Sequence, residues 1–291
     1  MTETVHIGVI GGSGLYKMAE ITDRVTYVIP TPFGMPSAEI VVGTLRGKRV
    51  AFLPRHGVGH VHSPSTVPYR ANIFALKVLG VRFIIGVNAC GSLREDYAPG
   101  HIVIPDQLLD YTTGLRERSF FGDNLVAHIS VADPFCAELS AQLANAVTKV
   151  GGTVHQGGTF IIEEGPRFAT RAESKLFRQW GCSIIGMTTA PEAFLAREAE
   201  IAYATLAHIT DYDVWHTSEE PVTVDMVVAT MRRNIDTVQA AIAAAVETLD
   251  EGSACSCHRA LENAIMTDRS AIPQAKVDQL KPLIQRYFPV S

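Results

Sequence analysis

The chain has 291 residues, of which 47% are hydrophobic and 19% charged, enough apolar content for one large α/β core or two modest ones and too much for a disordered chain. A net charge of -5 gives no general attraction to nucleic acid or to an anionic membrane surface, since either calls for a clustered basic face. No apolar run approaches the ~18 residues of a membrane span, and Met1-Thr2-Glu3-Thr4-Val5-His6 lacks the basic and apolar regions of a signal peptide, so a cytoplasmic protein acting on a small molecule is expected, with no nucleic-acid or membrane partner.

Residues 5–10 form a short β-branched run ending in Gly11-Gly12-Ser13-Gly14, which reads as a buried strand feeding a glycine-rich turn. Further strands are expected over 24–29, 38–45 and 48–53, with Pro30-Thr31-Pro32-Phe33-Gly34-Met35-Pro36 as a loop or edge connection. A helix over 68–79 leads into an apolar strand over 81–88 and then a small-residue turn, Ala89-Cys90-Gly91-Ser92. Helix is expected over 134–150, extended chain over 153–162, helix over 171–180, extended chain over 183–187 and helix over 191–199. A long apolar run over 201–209 ends in Thr210-Asp211-Tyr212-Asp213. Val224, Val227, Val228, Met231, Ile235, Val238, Ile242 and Val246 recur at spacings of three and four and define a long amphipathic helix. Glu251-Gly252-Ser253 marks the expected division between a main domain, 1–250, and a C-terminal helical appendage, 251–291, with one or two short helices over 258–288. Alternating strands and helices argue for an α/β fold with helices packed around a central sheet.

The strand exits carry the chemistry. In extended backbone, side chains at i and i+2 share a face, so Asp211 and Asp213 are placed to converge on a ligand edge rich in hydrogen-bond donors. The competing local reading is an Asx-type strand exit in which one acid starts a turn. Gly12-Ser13-Gly14-Leu15-Tyr16-Lys17 puts lysine where a dinucleotide fingerprint needs its third glycine, and it lacks P-loop spacing. What survives is either a tight turn or one whose amides and Ser13 hydroxyl approach an anion.

Pro54-Arg55-His56-Gly57-Val58-Gly59-His60-Val61-His62 offers a guanidinium fork suited to phosphate and a further donor in His56. Its three histidines have no accompanying carboxylate, and Arg55 repels a cation, so oxyanion binding is favoured over metal. Glu163-Glu164-Gly165-Pro166-Arg167-Phe168 supplies an aromatic for a planar ring, or else a Gly-Pro turn with a core Phe. Cys90, Cys136 and Cys182 read as packing residues. Cys255-Ser256-Cys257 stays open between a redox pair, half of a metal site and an incidental linker; His258 follows, yet no second cysteine pair lies nearby to close a four-ligand zinc site.

Gly11-Gly12-Ser13-Gly14-Leu15, Arg55-His56-Gly57, Ala89-Cys90-Gly91-Ser92-Leu93, Glu164-Gly165-Pro166-Arg167-Phe168, Met187-Thr188-Thr189-Ala190-Pro191-Glu192 and Thr210-Asp211-Tyr212-Asp213 occur in the order of one family. Over about residues 5–248 the chain resembles the trimeric purine nucleoside phosphorylases, most closely the methylthioadenosine-cleaving branch. The resemblance implies a central mixed, partly barrel-like sheet flanked by helices. It also implies a homotrimer with sites shared between subunits, with association into hexamers left open. The implied reaction needs no cofactor and no metal: inorganic phosphate, a co-substrate, attacks the anomeric carbon as the purine leaves. In that branch methylthioadenosine yields adenine and 5-methylthioribose 1-phosphate, a step of purine and methionine salvage.

The matching positions imply phosphate binding by Ser13, Arg55, His56, Asn88, Ala89 and Thr188, ribose contact by Met187, and a base wall at Phe168. Asp211 matches the acid near purine N7, and Asp213 matches a residue that reads the 6-amino edge, with Tyr212 between them in the substrate-binding segment. Carboxylates accept hydrogen bonds and adenine offers an amine there, whereas a 6-oxopurine presents a second acceptor; the inosine and guanosine enzymes carry Asn at the position of Asp211. His128 matches a residue that reaches a neighbouring subunit's sugar pocket, and Val224 matches one that favours methylthio over hydroxyl, although alone it reads as the first core residue of its helix. Ala169 stands where several methylthioadenosine enzymes carry serine. The Cys255 and Cys257 pair resembles one seen as a disulfide in some thermophilic relatives. The alternatives are a relative preferring methylthioinosine, inosine or guanosine, and, more remotely, a catalytically silent nucleoside-binding protein.

Overall fold

The apolar runs that alternate with helices assemble into an 11-stranded mixed sheet. The structure, a computed structural model, describes residues 4–12, 15, 18–216 and 223–288. Four strands run parallel at its centre: β1 (Ile7–Gly11) lies between β4 (Lys48–Pro54) and β5 (Phe83–Ser92), and β5 pairs on its other side with β11 (Ala202–Asp211). All ten positions of β11 are buried, as expected of a parallel strand covered on both faces. This is why it reads as a continuous apolar run and not as an alternation.

Three arms leave this centre. Beyond β4 come β3 (Ile40–Leu45) and the largely exposed edge strand β2 (Thr22–Tyr27), both antiparallel to their neighbours. The far end of β5 pairs antiparallel with β10 (Cys182–Gly186), which continues in parallel through β9 (Thr159–Glu163) to β7 (Gln107–Tyr111). β11 pairs with β6 (Ile102–Ile104), and β6 with β8 (Val154–Gln156). The mixed α/β fold is as expected, but the arms end at β2, β7 and β8, and the sheet is not closed. The barrel-like character is therefore limited to this branching.

Four local expectations change. Residues 89–92 continue β5 and do not form a turn, because Gly91 pairs with Ile185 on one side and Asp211 on the other. A Cβ at Gly91 would lie 3.0 Å from both Asp211 Oδ1 and the Ile185 side chain, so the small residue permits three strands to crowd together. The extended stretch 153–162 splits at Gly157 and Gly158, whose φ values of 87° and 104° turn the chain from one arm to another. β6 and β7 escaped the reading altogether, the first being only three residues long. The predicted helix after β10 begins earlier, as α4 (Thr189–Glu198).

The remaining helices are α1 (Tyr69–Val78), α2 (Ala137–Lys149), α3 (Arg171–Gln179) and α5 (Val224–Thr248), with α6 (Gln274–Gln279) and α7 (Lys281–Ile284) in the tail. Along α5 the apolar stripe enters the core only in its second half, where Val238, Ile242 and Val246 are buried and α2 packs against it. Val224 is 65% exposed and is no core residue. The tail packs back on the body: Leu261, Ile272, Leu283 and Ile284 share a cluster with Ile73 and Leu76 of α1, while Cys257 joins the α2 and α5 cluster.

Candidate active site

Because β1, β4, β5 and β11 are parallel, their carboxyl ends lie on one side of the sheet. Ligands of open α/β sheets bind outside such ends. Gly11, Arg55 and Asp211 sit at or just past them, and Asn88 and Ala89 lie within the second half of β5. Ser13 lies outside the described residues.

At one end of this edge, Asn88 Nδ2 donates to Thr188 Oγ1 at 2.9 Å, and Thr205 Oγ1 lies 2.7 Å from Asn88 Oδ1. Asn88 and Thr188 are both buried, and Ala89 is half-buried beside them. The link joins the middle of β5 to the start of α4 and leaves Asn88 one further amide N–H.

Arg55 departs from its expected role. Its guanidinium is buried and grips Glu192 through Nε and Nη2, each at 2.7 Å, while Nη1 and Nη2 also donate to the carbonyls of Val87 (2.8 Å) and Ile10 (3.2 Å). Glu192 also accepts from Tyr203 Oη at 2.8 Å. Burial opposes the charge of Arg55, but Glu192 outweighs it and holds the group above its ordinary range. The fork read as a phosphate clamp is thus closed on a carboxylate, with one N–H of Nη1 left over among the described residues.

His56 also differs from a simple donor. Its Nδ1 lies 2.9 Å from the His62 carbonyl, which only accepts, so Nδ1 carries the proton. Burial pushes the imidazole down to about 4. At neutral pH the ring is uncharged and its Nε2 is an acceptor, suited to the remaining proton of hydrogen phosphate.

The middle of the edge is organised by a residue that sequence reading missed. Arg116 is buried; its Nη1 donates to the carbonyls of Met187 (2.6 Å) and Ala190 (2.7 Å), its Nη2 to that of Glu164 (2.6 Å), and its Nε to the Glu164 carboxylate (3.0 Å). It ties the loop after β9 to the loop after β10. Glu164 in turn accepts from Ser65 Oγ at 2.6 Å and Thr113 N at 2.7 Å, and these bonds together with Arg116 overcome burial and pull its carboxyl down to about 2. Gly165, with φ of 68°, allows close approach: a Cβ there would lie 2.6 Å from the Met187 sulfur. Phe168 follows, 37% exposed, and the next residue, Ala169, is buried. In sequence, Leu115-Arg116-Glu117-Arg118 carries no signal beyond that of a charged, solvated loop.

The acidic pair takes the Asx-type exit. Asp213 N–H donates to Asp211 Oδ1 at 2.8 Å, the Asx-type turn, and Asp211 Oδ2 accepts from Thr210 Oγ1 at 2.7 Å. β11 ends at Asp211 and Asp213 has φ of 52°, so the shared face does not come from extended alternation. Both acids are nevertheless buried, while the intervening Tyr212 is only partly so and stacks on His216 at 4.7 Å. Burial raises the Asp211 carboxyl, with Thr210 and the Asp213 amide partly offsetting it. Asp213 is pushed to about 6 by burial, partly offset by Ser174, with the charge of Asp211 adding to the rise. Glu163, at the end of β9, goes to about 7 by burial and the charge of Asp213.

This third acid has a stability consequence. The folded carboxyl of Glu163 rises from 4.5 to about 7, so the native state holds a proton that the unfolded chain releases. Its contribution is present below pH 4.5 and is lost as pH rises through 7, by roughly 3 kcal/mol. Urea unfolding at pH 5 and pH 8 is expected to show Glu163→Gln losing less stability than the parent over that interval. An unchanged difference would mean that Glu163 is ionised throughout.

His128 and Val224 are not drawn into this cluster. His128 is exposed, its N–H donating to the Ala264 carbonyl at 2.9 Å, and Val224 stands exposed in the first turn of α5. Both side chains are free to meet another surface.

Residues 6–247 match the family described as the phosphorylase superfamily. The S-methyl-5'-thioadenosine phosphorylase of Geobacter sulfurreducens is 53% identical over 281 residues, spanning 97% of this chain and 98% of that protein. The enzyme of that name from Chloroflexus aurantiacus is 52% identical over 282 residues, again spanning 97% and 98%. A crystal structure of methylthioadenosine phosphorylase from an antarctic soil metagenomic library superposes with a TM-score of 0.92 at 47% identity, covering 96% of this chain and 99% of that one. Methylthioadenosine phosphorylase from Schistosoma mansoni in complex with adenine gives a TM-score of 0.80 at 39% identity, covering 84% and 91%. With the match running through every strand exit described above, the chain belongs to the phosphorylase superfamily.

Proposed function

We propose that this chain catalyses phosphorolysis of 5'-methylthioadenosine, using inorganic phosphate as co-substrate and releasing adenine and 5-methylthioribose 1-phosphate. The observation that carries this reading is Asp211, a buried acid with a raised carboxyl, held at the β5 and β11 exit where Gly91 leaves it room. A purine leaving with negative charge needs a proton near N7, and a carboxyl that stays protonated more readily than usual supplies it. Asp213 faces the 6-amino edge as an acceptor, Phe168 and Tyr212 border the base, and Met187, fixed through its carbonyl by Arg116, borders the ribose.

At the other end Asn88, Ala89, Thr188 and His56 receive phosphate, with Ser13 completing the set. Nε2 of His56 accepts a hydrogen bond from the O–H of hydrogen phosphate, and Arg55 contributes mainly by shaping the strands that present the others. Catalysis on this reading is positioning plus charge stabilisation. No step of it calls for a metal or an organic cofactor. The exposure of His128 and Val224 suits completion of the sugar pocket by a neighbouring copy in a homotrimer, which the solution mass of the active enzyme tests. Ala169 is buried in a cluster with Leu93, Ile161 and Phe177 and sets sugar-end selectivity only indirectly. The reaction belongs to purine and methionine salvage in the cytoplasm.

A panel of methylthioadenosine, adenosine, methylthioinosine, inosine and guanosine, each with and without phosphate, tests the reading. Adenine release from methylthioadenosine only when phosphate is present is the expected result. Turnover of the 6-oxopurines without adenine release would reassign the base, and binding without product in excess phosphate would make the chain a silent binder.

A further inference from the structure

The cysteine pair left open by the sequence acquires a third partner in the fold. Cys136, Cys255 and Cys257 bring their sulfur atoms within 4.8 Å of one another, although Cys136 lies at the head of α2 and the other two in the segment after α5. Cys136 and Cys257 are buried; Cys255 is half-exposed and gives a path in from solvent. We propose that these three thiols form a binding site for one soft d10 cation, Zn(II) or Cu(I), separate from the nucleoside site.

Thiolates select such ions. Three sulfurs around a metal at 2.3 Å stand about 3.8 Å apart in a tetrahedral arrangement and about 4.0 Å apart in a trigonal one. The 4.8 Å that bounds the observed separations is within an ångström of both, a difference that side-chain rotation closes.

The scaffold holds the sulfurs in place without the ion. The Cys136 N–H donates to the Tyr203 carbonyl at 2.8 Å, fixing the head of α2 against β11. Cys255 precedes a 3-10 turn, Ser256–Arg259, in which the His258 N–H returns to the Cys255 carbonyl at 3.1 Å. His258 is no fourth ligand, because its Nδ1 faces Arg82 Nη2 and its Nε2 faces the Arg82 carbonyl, each at 3.2 Å. The site is therefore a three-sulfur one with an open position, taken by water on Zn(II) and left vacant in trigonal Cu(I).

Charge also fits. Binding of Zn(II) displaces three thiol protons and leaves a unit of net charge minus one. The positive end of the 13-residue helix α2, at which Cys136 is the N-cap, and the charge of Arg197 acting on Cys257 both favour that unit. The Cys136 thiol now donates to Glu138 Oε2 at 3.2 Å, a hydrogen bond that is given up when the sulfur binds an ion. A bound ion joins the tail to α2 and so restrains residues 255–259 against the body.

The test uses the full chain, kept reduced with a phosphine and stripped by chelator, titrated with Zn(II), with Co(II) as its spectroscopic stand-in, and separately with Cu(I). One equivalent per chain is expected, with a thiolate-to-Co(II) charge-transfer band, protection of the three cysteines from alkylation, and a higher melting temperature. Cys136→Ser and Cys255→Ser, each checked for fold by circular dichroism, are expected to weaken Zn(II) at least about 100-fold, beyond the loss typical of an outer-shell change. The proposal is overturned if the reduced parent binds no stoichiometric ion, if Cys136→Ser binds as tightly as the parent, or if Cys255 and Cys257 pair as a disulfide that persists under the reductant.

Discussion

Asp211→Asn is expected to lower kcat/KM for methylthioadenosine by about 10²–10⁴-fold, the range for loss of a general acid, while leaving the KM for phosphate within about twofold. The substitution keeps shape and keeps the turn, since an amide oxygen still accepts from the Asp213 N–H that now reaches Asp211 Oδ1 at 2.8 Å. What it removes is an ionisable proton beside the leaving purine. Its amide N–H can still donate to N7 without transferring a proton, so 6-oxopurine nucleosides are expected to lose less activity than methylthioadenosine, or to gain. The pH profile gives a second readout. Burial raises the Asp211 carboxyl, so the parent is expected to lose kcat/KM as pH rises through that shifted value, and the variant to lack this limb. Equal turnover of methylthioadenosine by variant and parent would remove Asp211 from the chemistry.

What was legible in the sequence follows from what is local. The run ending at Asp211 could be read because a strand buried on both faces is predominantly apolar, and its end is where acids are first tolerated. Asn88 and Thr188 were legible only through their resemblance to a family. Their contact depends on β5 and α4 meeting, which no periodicity reports. Residues 89–92 misled because small residues usually mark turns; here Gly91 is small so that Ile185 and Asp211 can flank it. Arg116 was invisible for a similar reason. Its partners are carbonyls of the 163–164 and 187–190 segments, and backbone acceptors leave no residue-type signal. The valines at the start of α5 keep helical spacing but remain exposed, which a stripe shared with another surface produces as readily as a core stripe. Cys136 is buried, as a packing residue is. Its proximity to Cys255 and Cys257 arises from the tail folding back over α2.

The larger structural effect is expected at Arg55 and Glu192. Glu192→Leu is predicted to destabilise the fold by about 3–5 kcal/mol, because it leaves a buried guanidinium without its carboxylate. The pair is 3% and 1% exposed, bidentate at 2.7 Å, and Tyr203 closes the remaining side of Glu192. Arg55→Met is expected to cost a similar amount for the converse reason, an unpaired buried carboxylate. The double variant Arg55→Met with Glu192→Leu is expected to recover at least half of the summed loss, since both charges are then gone and apolar groups of similar size fill the space. Urea unfolding of the four proteins measures this cycle. The cycle separates two roles for Arg55 that a single substitution confounds. If the arginine held phosphate directly, the double variant would regain stability while its KM for phosphate stayed far above that of the parent. If it acts by fixing the Ile10 carbonyl near the end of β1 and the Val87 carbonyl within β5, the single variants lose phosphate binding only in proportion to their lost structure. The observed geometry favours the second outcome, because a fork already closed on Glu192 has one N–H left to offer.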